Sequence, residues 1–155
     1  MSAMTEPSTT IARDELLAGL EQEVGVMIRR IRRVIGERAR SVHPELQSSS
    51  YLMLTWLDQH GAQRSSAMAE AFGIDKGAIS RQVQHLLDLG LVDRTPDPAD
   101  GRATLVSVSA DASVRMAEVN DDRRRWLDER LGDWPDRDVS EFLRMLASYN
   151  AALDA

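Results

Sequence analysis

The 155-residue chain contains no cysteine. Structural disulfides, thiolate metal ligands, nucleophilic thiols and thiol-based redox sensing are therefore excluded. No apolar run approaches the roughly 18 residues of a membrane span. The polar start MSAMTEPSTT has neither the basic nor the apolar region of a signal peptide. These absences predict a cytoplasmic protein with no membrane partner. Histidine is scarce: His43, His60 and His85 fall on three different segments without metal-ligand spacing. No glycine-rich phosphate loop and no nucleophile beside a base accompanies them, so the expectation is no enzyme, no metal and no cofactor. Lysine is nearly missing as well, since of 19 basic residues only Lys76 is not arginine.

What is present is an apolar fraction of 43%, enough for one ordinary domain with a real core. A tail over residues 1–10 precedes a helix expected over 11 to about 42, with Ser8, Thr9 and Thr10 as caps and Pro44 as its stop. Along it Leu17, Leu20, Val24, Met27, Ile31 and Val34 step by 3, 4, 3, 4 and 3. That is a narrow seam of the coiled-coil kind, which requires another helix. Leu16, Ile28 and Ile35 widen the apolar face on one side. A second helix follows Ser48–Ser50 and ends at Gly61, a short one covers 65–72, and Asp75 caps a further helix through Leu89. LVDRT and TLVSVS are β-branched runs separated by a turn-rich connector, and they predict a hairpin with a long tip. Two more helices are expected, over 111 to about 131 and, after the DWPD break, along the stripe Val139, Phe142, Leu143, Leu146, Tyr149 and Leu153.

Within SSAMAEAFGIDKGAISRQVQHLL, Ala69 is small where two helices would cross. Gly73 permits the turn, and Ile79 returns an apolar side chain to the crossing. Met68, Phe72, Ile74, Val83 and Leu86 complete a miniature core. The face left over carries Lys76, Gly77, Ser80, Arg81 and Gln84, residue types suited to base edges and phosphates in a major groove. A helix-turn-helix followed by a two-stranded wing is a winged helix.

The order of elements, the segment AFGIDKGAISRQVQHLLDLGLVDRTPDPADGRATLVSVS and the long flanking helices resemble the MarR family of bacterial transcriptional regulators. The wing carries the most specific match: Asp100 and Arg102 in DPADGR fit the family's Asp, then two residues on Arg. The resemblance implies that Arg102 reaches the minor groove while Asp100 braces it, or braces Arg94, by a charge-assisted bond. Pro96 and Pro98 would stiffen the tip. It also implies dimerisation through the N- and C-terminal helices, and release from DNA by a small aromatic or phenolic acid held between those helices and the reader. Candidates for that ligand are Arg33, His43, Tyr51 and Trp56.

The expectation is a mainly α protein with a small β-hairpin wing, a winged helix-turn-helix flanked by dimerisation helices. Residues 11–43 form the N-terminal dimerisation helix, 44–109 the DNA-binding region and 110–155 the C-terminal dimerisation helices, in one compact chain with two lobes. Its partners would be a second copy, an inverted-repeat double-stranded DNA operator and an effector. The charge does not favour DNA by count: the net value is −6, and residues 61–104 hold six acids against Arg64, Lys76, Arg81, Arg94 and Arg102. Affinity would depend on clustering those cations on one surface. The six arginines of RRIRRVIGERAR are read as flanking the seam and pairing with the acidic C-terminal helices. A winged helix used for protein contact is the alternative.

Overall fold

The computed structural model describes residues 12–154; the tail over 1–10, its caps Ser8, Thr9 and Thr10, and the helix start expected at residue 11 lie outside the described residues. The first helix, α1, spans Arg13–Val42. Its N-cap Ala12 makes no side-chain cap bond, and Asp14 and Glu15 place negative charge in the first turn, where the helix dipole is positive. At the other end His43 is extended, the conformation that Pro44 imposes on the residue before it.

Helix α2 (Ser48–His60) packs against α1, and Ala39 and Val42 of α1 and Tyr51, Met53, Leu54 and Leu57 of α2 are buried. A two-residue strand, β1 (Gln63–Arg64), leads into α3 (Ser65–Phe72) and α4 (Lys76–Asp88). The turn between α3 and α4 rests on Gly73 at φ 62°, a left-handed position that costs little only without a Cβ. Ile74 then donates to the Ala69 carbonyl at 3.1 Å, closing the end of α3. The Asp75 carboxylate accepts the Ala78 amide at 2.8 Å and so caps α4. Met68, Ile79, Val83 and Leu86 are fully buried, joined by Leu91, Val92 and Val106.

Strands β2 (Val92–Asp97) and β3 (Asp100–Val108) form the hairpin. The hairpin tip is shorter than the expected long one: the strands continue through TPD and DGR, and only Pro98 and Ala99 stand between them. Pro96 is accommodated because β2 is an edge of the three-stranded sheet, whose order is β1-β3-β2. A register shift between Pro96 and Asp97 bends the hairpin just before its turn. The strand β1 was not legible in the sequence, since two residues carry no alternation. It pairs antiparallel with β3, Gln63 opposite Val106 and Arg64 opposite Leu105.

The chain divides into two compact units at Ser109/Ala110, so α1 belongs to the same unit as the helix-turn-helix. The second unit holds α5 (Ala110–Arg130) and α6 (Asp136–Leu153). Leu16, Leu17, Leu20, Ile28 and Ile31 of α1 are 41–57% exposed in the single chain, and Phe142, Leu143, Met145 and Leu153 of α6 are 54–66% exposed. Among the described residues no helix is long and apolar enough to cross a membrane.

The Asp75→Ala variant removes the side-chain acceptor that caps α4. It should lower the free energy of unfolding by about 1 kcal/mol, read from the urea midpoint at constant m.

Candidate nucleic-acid interface

Helix α4 sends one stripe into the core, and the opposite face is thereby fixed outward. Lys76, Gly77, Ser80, Arg81 and Gln84 are all exposed, as the helical spacing predicts. The Arg81 guanidinium lies back over the first turn of α4: a Cβ built on Gly77 would come within 3.5 Å of Arg81 Nη1 and 3.1 Å of the capping Asp75 Oδ1. Gly77 thus leaves space for arginine at the N-terminal end of the helix, the end that such readers direct toward base edges. Gln84 is held by its own helix, its Nε2 donating to Asp88 Oδ1 at 2.9 Å.

On the wing, Arg94 lies in β2 opposite Val106, and Arg102 lies near the start of β3; both are exposed. The wing acids act differently from the expected brace. Asp100 Oδ1 accepts the backbone amide of Arg102 at 3.1 Å, so this acid shapes the turn instead of gripping the Arg102 or Arg94 guanidinium. The acid that grips an arginine is Asp97. Its Oδ2 accepts Arg64 Nε at 2.6 Å and lies 2.5 Å from Arg64 Nη2, while its Oδ1 accepts the Ala99 amide at 2.9 Å. The Asp97 side chain is only 8% exposed, whereas that of Arg64 is 43% exposed. The Ala99 amide and then the Arg64 guanidinium hold the Asp97 carboxyl below its ordinary pKa, against the opposing effect of burial. Sequence reading missed this pair because its members are 33 residues apart and one belongs to the unforeseen β1. Among the described residues Lys76, Arg81, Arg94 and Arg102 form no ion pair with an acid of the chain. Their charge is therefore not spent internally, which the negative net count conceals.

The four residues expected to hold an effector each have surroundings of their own. Arg33 is exposed on α1 and stands 4.0 Å from Glu37, one turn along. His43 Nδ1 accepts the Glu45 amide at 3.1 Å, Tyr51 of α2 is buried, and Trp56 stacks on His60 at 4.5 Å and meets Phe72 edge-on. A cavity of about 220 Å³ lies between the start of α2 and α4, lined by Gln47, Ser50, Ala78, Arg81, Gln82 and His85. Ser50 Oγ donates to Gln82 Oε1 across it at 3.4 Å, and His85 Nε2 is enclosed without a hydrogen-bond partner.

A helix-turn-helix with an outward polar face, continued by an antiparallel wing, defines a winged helix-turn-helix protein. The MarR family model matches residues 46–104, the reader from the start of α2 into β3. An HTH-type transcriptional regulator of Mycobacterium tuberculosis is 32% identical over 136 residues, covering 88% of this chain and 93% of that protein. The HTH-type transcriptional repressor NicR of Pseudomonas putida is 27% identical over 118 residues, 75% of this chain and 74% of its own length. The solved structure of a MarR family protein from Bacillus stearothermophilus superposes with a TM-score of 0.73 at 18% identity, covering 93% of this chain and 99% of that one. The chain belongs to the MarR family of helix-turn-helix transcriptional regulators.

The depressed pKa of Asp97 has a sign in pH. A carboxylate stabilised in the folded state contributes stability that is present above its unfolded pKa and lost as pH falls through the lowered folded value. The urea midpoint of the wild type should therefore fall more steeply than that of Asp97→Asn as pH is taken from about 5 to about 3. Parallel curves would show that the pair adds nothing.

Proposed function

We propose that the protein is a homodimeric repressor that binds an inverted-repeat operator and is relieved by a small aromatic or phenolic acid. The carrying observation is the exposed polar face of α4, with Lys76 and Arg81 unpaired, beside a wing that exposes Arg94 and Arg102. In this reading Arg81, Ser80 and Gln84 face base edges, Lys76 and Arg94 meet phosphates, and Arg102 enters the minor groove. Gly77 allows close approach, and Asp100 shapes the turn that carries Arg102. Two readers related by a two-fold axis would address half-sites about one helical turn, ~34 Å, apart. The exposed apolar residues of α1 and α6 support a second copy as partner, because a soluble chain rarely leaves such seams in water. Repression is favoured by the relative NicR, whose name says repressor.

Selection of bound duplexes from a random DNA pool tests the reading: an enriched inverted repeat is expected, and no enrichment at low salt would sink it. On the recovered operator, Arg81→Ala should lose roughly 10-fold or more in affinity and relax preference at one base pair in each half-site, since a bidentate base contact contributes about 1–3 kcal/mol. Arg102→Ala should weaken binding across sequences and flatten the salt dependence of affinity. If both variants bind as the parent does, the reading face has been misassigned.

A further inference from the structure

The β1 strand supports β3 only at Leu105 and Val106. From Asp100 to Thr104, β3 has β2 as its sole strand neighbour, and a two-stranded ribbon by itself is marginally ordered in water. Arg102, the residue on which minor-groove contact would depend, stands on that unsupported part. The Arg64–Asp97 pair is placed where the ribbon needs an anchor. Arg64 lies in β1 opposite Leu105 and is also the N-cap residue of α3, so its backbone is part of the helix-turn-helix. Asp97 is the last residue of β2, immediately before the turn. One carboxylate thus does two jobs: Oδ1 closes the turn through Ala99, and Oδ2 ties that turn to the start of α3 through Arg64.

We propose that Asp97 is a positioning residue that anchors the wing to the helix-turn-helix through Arg64, and so sets where Arg102 stands relative to α4. Arg64 then acts mainly as the receiving half of the anchor, with its Nε and one terminal nitrogen committed to Asp97 and not to phosphate. A charge-assisted pair with one member nearly buried suits this role, because the carboxylate cannot easily exchange the guanidinium for water. The consequence for DNA binding rests on the function proposed above; the anchor itself does not.

Two measurements separate these layers. Without DNA, amide hydrogen exchange should be faster over residues 100–104 in both Asp97→Asn and Arg64→Ala, while the amides of Ile79, Val83 and Leu86 in α4 keep their protection. Unchanged exchange in the wing would overturn the proposal, and so would acceleration spread equally over α4, which would mean general destabilisation. With the selected operator, Asp97→Asn should bind about 10-fold more weakly than the parent, the loss of one charged hydrogen bond. In an Arg102→Ala background the same substitution should cost less than about twofold, because the residue it positions is gone. Equal losses in the two backgrounds would overturn the link to Arg102. Faster wing exchange in a protein that selects no duplex would support the anchor and reject the DNA reading alone.

Discussion

The apolar stripe of α4 is the constraint on which the molecule depends. Ile79, Val83 and Leu86 are buried where α4 meets α3 and β2, and each such side chain contributes about 1.5–3 kcal/mol on leaving water. Because a helix has one rotation that satisfies three such residues, their burial decides which residues remain outside. Lys76, Ser80, Arg81 and Gln84 are therefore presented as a set, and Asp75 and Gly73 fix where the set begins. The outward polar face of α4 is what the core declines to bury.

Charge is handled by the same separation. The net value of −6 suggests a poor partner for a polyanion, yet a count does not say where the charges lie or which are paired. Asp75 caps a helix, Asp88 holds Gln84, Asp97 holds Arg64, and Asp100 accepts a backbone amide. Four acids of this region therefore do conformational work, while among the described residues Lys76, Arg81, Arg94 and Arg102 form no ion pair. At the exposed tip of a ribbon, a carboxylate used in this way fixes the backbone that carries an arginine without needing to touch its guanidinium.

The flanking helices follow a different rule. On α1 the narrow seam from Leu17 to Val34 is largely unburied within the chain, and on α6 no residue is buried at all. Short apolar steps at 3.5-residue spacing make a stripe too narrow to wrap a core but well suited to a single facing helix. Among the described residues of α1 only Ala39 and Val42, in its last turns, are buried. One helix thereby joins a packed end to an end whose apolar stripe is exposed in the single chain.

Much of this was determined by the sequence itself. Helical periodicity placed the elements, Gly73, Gly61 and Pro44 punctuated them, and the spacing from Ala69 to Ile79 defined the helix-turn-helix and its outward face, because all of these are local relations between residues within a few turns. The tertiary structure alone decided the rest. A two-residue strand has too few side chains to announce itself, so β1 and the three-stranded sheet emerge only when β3 is there to pair with it. The length of the wing tip depended on cross-strand pairing that carries Pro96 and Asp97 into β2. The choice of Arg64, not Arg94 or Arg102, as the arginine gripped by a wing acid depended on the fold bringing together residues 33 apart, a distance over which spacing carries no information.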